Sequence, residues 1–274
     1  MLRSHEHSEV SLKMKVYIVT DLEGVSGICL FEQTREKQPE LYEEARRLLM
    51  GEVNAAVQGC LDGGATEIVV LDGHGGGFNF IPEEMHPDAQ FITGTHRPTW
   101  LVGLDESFDA VLCIGFHAMM GTKNGVLHHT QSSKMESRYW YNGIEMGEIG
   151  QVALIAGHYD VPVVMVSGDK AACDEARQLL GEEIVTVAVK EGYSRHCAKM
   201  LSPKRARELI REGAKEAMRR IRHCKPLKLQ LPIKGELKVG SKGIADQIRP
   251  KRAKRVDDVT FVATFESALE ILDF

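Results

Sequence analysis

VYIVTDLEGVSG, residues 16–27, runs from a short β-branched apolar stretch directly into two carboxylates, Asp21 and Glu23, and then into a glycine turn. The apolar stretch reads as a buried strand. Downstream, residues 39–64 place Leu41, Ala45, Leu48, Val53 and Ala56 at helical spacing and end on two glycines, which predicts a long helix. EIVVLD, residues 67–72, is then a second buried strand. A strand, a crossover helix and another strand, with near-continuous apolar strands, is the pattern of a parallel sheet covered on both faces. DAVLCIGFH (109–117) and VPVVMVSGD (161–169) repeat the form. The expected fold class is α/β: a mostly parallel central sheet flanked by helices.

Between those last two strands, GVLHHTQS (125–132) and SRYWYNGIEMGE (137–148) read as an antiparallel pair with a turn at Asn142-Gly143, leading into a helix near 147–158. A further helix is expected up to Gly181, then a strand over 182–190. Ser202-Pro203 opens another helix, with Ser as N-cap and Pro in the first turn. Beyond residue 225 apolar and polar positions alternate. The expected organisation is a flexible extension over 1–14, a main α/β domain over 15–225 and a smaller β-containing subdomain over 226–274. The basic run in IRPKRAKRVDD reads as a solvated loop.

The chain has 274 residues, 43% of them hydrophobic, enough for a sizeable core. Its 34 basic residues are outnumbered by 39 acidic ones, so no overall field draws it to nucleic acid or anionic lipid. No apolar run is long enough to span a membrane. The six cysteines are scattered without a C-x-x-C and read as reduced packing residues of a cytoplasmic protein.

In open parallel sheets ligands gather beyond the carboxyl ends of the strands. The residues there are Asp21 and Glu23 after the first strand, His74 after the second and His117 after DAVLCIGF. To these the sequence adds His128 and His129 in GVLHHT, and Glu148 at the start of a helix. One acid after a strand is usually a cap or loop residue, and one histidine there is usually structural. Together they form an oxygen and nitrogen ligand set suited to one or two Zn²⁺ or Mn²⁺ ions. GHGGG lacks the Lys-Ser/Thr of a phosphate loop. TDLEGVSG departs from the Asp-x-Asp-Gly-Thr of aspartyl-phosphate phosphatases at Glu23 and Val25. Since i and i+2 share a face of a strand, Asp21 and Glu23 are expected to point the same way.

DLEGVSG, DGHGG, GFHA, GVLHHT, NGIEMGEIG, AGHYDVPVVMVSGD and SRHCAKMLSP, in this order, make the chain resemble the zinc-dependent D-aminopeptidases associated with bacterial dipeptide-transport operons. The likeness runs from about residue 15 to 225. It implies Asp21, Glu23, His74, His117 and Glu148 as ligands of two Zn²⁺ ions and His129 as the catalytic group, with His128 the competing imidazole. Asp21 would join the two ions, Glu23 and His74 serving one and His117 and Glu148 the other. The resemblance further implies a small peptide substrate with an N-terminal D-residue and a ring-like homo-oligomer, a decamer. The rival readings are a metallohydrolase of an L-peptide, another amide or a phosphoester, and a non-enzymatic α/β scaffold or ligand-binding protein.

Overall fold

The computed structural model describes residues 13–274; the extension expected over 1–14 lies outside them except for its last two residues. Seven strands form the main sheet: β1 (Lys15–Thr20), β2 (Glu67–Asp72), β3 (Gln90–Ile92), β4 (Ala110–Phe116), β7 (Val163–Asp169), β8 (Val185–Ser194) and β9 (Cys197–Met200). Their order is β3-β2-β1-β4-β7-β8-β9. Every pairing is parallel except β8 with β9. The α/β class read from the sequence is therefore the observed one.

The strands are apolar throughout because both faces are covered. Val16 and Ile18 pack with Leu49, Val53 and Ile210 from α1 (Pro39–Asp62) and α4 (Pro203–Arg220). Tyr17 and Val19, pointing the other way, pack with residues of α2 (Glu148–His158) and α3 (Lys170–Leu180). Local signals set the helix ends as expected. The Ser202 hydroxyl accepts from Arg205 N–H with Pro203 following it, and α3 stops at Gly181, whose φ of 93° lies in the left-handed region.

A second sheet of five strands is antiparallel throughout. It comprises β5 (Arg138–Tyr141), β6 (Ile144–Met146), β10 (Ile233–Lys238), β11 (Lys254–Arg255) and β12 (Thr260–Phe265). Residues 226–274 do not build it alone, since β5 and β6 come from before α2. Its inner face, with Tyr141, Leu237 and Phe265, belongs to the same core as α2. The β5–β6 hairpin turns on Asn142 and Gly143, with φ of 50° and 82°, and Tyr141 pairs with Ile144.

Two local expectations are corrected. GVLHHTQS is not a strand; both hairpin strands lie within 137–148. Left-handed backbone at Leu127 and Gln131 (φ 51° and 64°) breaks any extended run there. Its N–H groups go to other partners: Val126 to Asp169, Leu127 to the Arg195 carbonyl, and Gln131 to Glu148. Likewise β1 ends at Thr20, so strand alternation does not align Asp21 with Glu23. A turn closed by Val25 N–H on the Leu22 carbonyl carries Glu23 back, and Gly24 N–H donates to the Gly115 carbonyl of β4.

At Gly24 the loop lies directly on the backbone of β4, and a Cβ would overlap the Phe116 carbonyl oxygen. Gly24→Ala should cost about 1–3 kcal/mol of stability. It should also loosen the hold on Glu23, read as a lowered unfolding temperature together with lowered metal content.

Candidate metal centre

The chain goes from β1 to β2 on one side and then back past β1 to β4 on the other. At such a reversal the loops leave a crevice beyond the carboxyl ends of the strands. Asp21 and Glu23 enter it from the loop after β1, His74 from the turn after β2 and His117 from the end of β4. His129 comes from the irregular segment before β5, and Glu148 is the first residue of α2. Two triads result, Asp21–Glu23–His74 and His117–His129–Glu148, each with its ligand atoms within 4.8 Å of one another.

The triads are joined at Asp21. Its Oδ2 lies 3.2 Å from His117 Nε2, which is 3.5 Å from Glu148 Oε1. Glu23 Oε1 is 3.3 Å from His74 Nε2, and Glu148 Oε1 is 3.9 Å from His129 Nε2. The rings of His117 and His129 stack with centroids 4.0 Å apart.

Each imidazole is oriented through its other nitrogen. His117 Nδ1 donates to the Ala118 carbonyl at 3.0 Å, and His129 Nδ1 to the Leu127 carbonyl at 2.8 Å. His74 Nδ1 faces Asn79 Oδ1 at 3.2 Å. The Asn79 amide group itself donates to Asp72 and to the His74 carbonyl, so its oxygen accepts and His74 Nδ1 carries the proton. All three Nε2 atoms are thereby turned toward the carboxylates.

Asp21 Oδ2, Glu23 Oε2 and His117 Nε2 are buried without a hydrogen-bond partner. Burying such groups unpaired is costly, so the cluster calls for positive charge at its centre. Burial raises the Asp21 carboxyl, reinforced by the charge of Glu23. Burial opposes ionisation of Glu23 and Glu148 as well, but the His74 and His117 imidazoles hold both below the usual carboxylate range. Burial disfavours charge on His74 and His117, yet the adjacent carboxylates raise both. His129 is lowered, by burial and by His117. Imidazoles and carboxylates around orphaned atoms, without sulfur, fit divalent zinc or a similar ion. His128 stays out of the cluster. Its Nδ1 accepts from Gly121 N–H, and burial with Arg195 nearby pushes it down to about 4.

The supporting residues were not legible in the sequence. Lys190, buried at the end of an apolar run in β8, donates to the carbonyls of Glu23, Val25 and Ile28 at 2.6, 2.8 and 2.6 Å. Burial lowers it to about 8. Glu52 on α1 accepts from Ser26 N–H, and Glu175 on α3 from Met119 N–H, just past His117. Asp169 caps α3 through Ala172 N–H and holds Val126 N–H. Carbonyl acceptors cannot be read from side-chain identity.

The peptidase M55 family model, described as D-aminopeptidase, matches residues 14–274. A D-aminopeptidase of Bacillus subtilis (strain 168) is 36% identical over 217 residues, covering 78% of this chain and 77% of the relative. The structure is similar to that of the Zn-dependent D-aminopeptidase DppA from Bacillus subtilis, a self-compartmentalizing protease. The TM-score is 0.88 at 31% identity, with 94% of each chain covered.

Lys190→Met removes all three donors from buried carbonyls and should destabilise the protein by about 3–5 kcal/mol, measured by urea unfolding. Glu52 gives a pH-dependent test. Burial raises it to about 7 from 4.5, with the Ser26 N–H opposing, so the folded state holds a proton that the unfolded state releases. Its contribution is fully present below pH 4.5 and is lost as pH rises through 7. Glu52→Gln should therefore gain stability relative to the parent across that window, by about 3 kcal/mol, and level off above it.

Proposed function

The chain belongs to the peptidase M55 D-aminopeptidase family, and from that membership we propose that the cluster at the carboxyl edge of the main sheet is its two-zinc catalytic centre. The protein is a metal-dependent aminopeptidase acting on peptides with an N-terminal D-residue. Asp21, Glu23 and His74 would hold one ion, and His117 and Glu148 the other, with Asp21 placed beside both groups. The observation that carries this reading is two adjoining triads of acids and imidazoles in which Asp21 Oδ2, Glu23 Oε2 and His117 Nε2 are buried without a hydrogen bond. Zinc, when bound, supplies Lewis acidity and lowers the pKa of water toward about 7.

The chain's own residues do the rest. The Leu127 carbonyl holds His129 Nδ1–H, leaving Nε2 to take up or deliver a proton at the cluster. The flat contact with His117 and the steeply inclined Phe31 ring, its centroid 5.8 Å away, limit how that ring turns. Gln131 N–H fixes Glu148 Oε1 at 2.7 Å, so the carboxylate facing both imidazoles does not swing out. The crevice leads into a cavity of about 440 Å³, a size suited to small peptides.

Among the described residues no helix is long and apolar enough to cross a membrane. The DppA relative is self-compartmentalizing. By that kinship this chain assembles into a homo-oligomer, and we extend the proposal to a decameric ring with the sites enclosed.

Metal analysis of the purified protein should find about two Zn²⁺ per chain. His129→Ala should keep the zinc and lose about 10²–10⁴-fold of its hydrolysis of small D-alanyl peptides. Absence of bound metal after gentle purification would overturn the centre, and loss of zinc in the variant would make His129 a ligand.

A further inference from the structure

The same cavity carries charge of the opposite sign. Besides the acids of the cluster it is lined by Arg35, Arg97 and Lys134. Arg97 is half-buried, and its Nη1 donates to the Asp72 carbonyl at the end of β2 at 2.5 Å, which fixes the guanidinium. Arg35 Nη2 donates to Ser133 Oγ at 3.1 Å, and its guanidinium lies 5.1 Å from the centre of the Phe31 ring. Phe31 in turn packs at a steep angle against the His129 ring, so Arg35 sits one aromatic ring away from the proposed catalytic group.

Among the described residues none of these three cations has a carboxylate partner. Elsewhere such pairing is common: Arg46 with Glu43, Arg138 with Glu145 and Arg220 with Glu216. Nor are the three needed to neutralise the cluster, whose carboxylates already face the imidazoles and the proposed zinc ions. A concave site with unanswered guanidinium groups attracts an anion, and a planar carboxylate matches the arginine fork. A free peptide of two or three residues is a zwitterion about 7–10 Å long when extended. Its amine suits the acids and metal of the cluster, and its far end offers the missing anion.

We propose that Arg35, Arg97 and Lys134 form a subsite for the C-terminal carboxylate of a short peptide, so that the enzyme selects substrates by the span between their two termini. The inference rests on the aminopeptidase reading of the cluster. It makes the enzyme a consumer of fully released di- and tripeptides, with chains blocked at the carboxyl end turned over poorly.

The test uses zinc-loaded protein and a D-alanyl dipeptide and tripeptide, each as free acid and as C-terminal amide. The parent should prefer the acid. Arg97→Gln and Arg35→Gln should each raise KM for the acid and reduce the acid-over-amide preference in kcat/KM about tenfold or more, the value of one charge-assisted contact. Arg97→Lys should recover part of it. An unchanged preference in both glutamine variants, or a parent that favours the amide, would overturn the subsite. Failure of the parent to cleave any D-peptide would instead sink the functional reading. The subsite is then decided by calorimetric titration of zinc-loaded His129→Ala with the same pairs. Tighter binding of the acid, lost in the Arg97→Gln double variant, supports it; equal binding of acid and amide refutes it.

Discussion

Three carboxylates, Asp21, Glu23 and Glu148, are held with their oxygens facing imidazole nitrogens in the interior of the crevice, and much of the structure answers to that one constraint. Left to themselves such groups would turn toward water or take up protons. They stay in place because the loops that carry them are tied down by buried polar side chains behind them. Lys190 gathers three carbonyls of the loop after β1, and Glu52 takes an N–H of the same loop. Glu175 takes an N–H beside His117, Asp169 one just before His129, and Asp72 acts on His74 through Asn79. Irregular loops thus acquire the rigidity of the sheet.

Topology explains why this happens at β1. With β2 on one side and β4 on the other, the loops leaving β1, β2 and β4 diverge at a common edge. The approach is close enough that Gly24 lies on the backbone of β4, where Gly115 has φ of 76°. The second sheet serves the same edge. Its β5–β6 hairpin delivers the chain to α2 with Glu148 at the first turn, and Gln151 on that helix bonds the Tyr141 hydroxyl, which in turn bonds the Ile271 carbonyl. The C-terminal segment therefore supports the helix that presents Glu148.

Much of this was legible in the linear chain. Apolar runs ending in Asp21, Asp72 and Phe116 identified parallel strands, since only a sheet buried on both faces tolerates such continuous hydrophobicity. Strand ends then pointed to Asp21, Glu23, His74 and His117, and the motif order led to the family. The irregular course of 125–132 was not legible, because hydrogen bonds to Asp169 and Glu148 decide it, and both lie distant in sequence. The same holds for the choice between two adjacent imidazoles: His129 turns inward and His128 outward only because Leu127 adopts a left-handed backbone that Arg195 and Asp169 help to hold.

The sequence by itself determined the long strands of the main sheet, the four long helices and the inventory of candidate nitrogen and oxygen ligands, because periodicity and residue type are local properties. Tertiary structure alone decided that Asp21 lies between the two triads, that Lys190 underpins the loop carrying Glu23, and that Arg35 and Arg97 share a cavity with the cluster. Those are distances between groups scores of residues apart in the chain, and they exist only once the sheet order has brought the strand ends together.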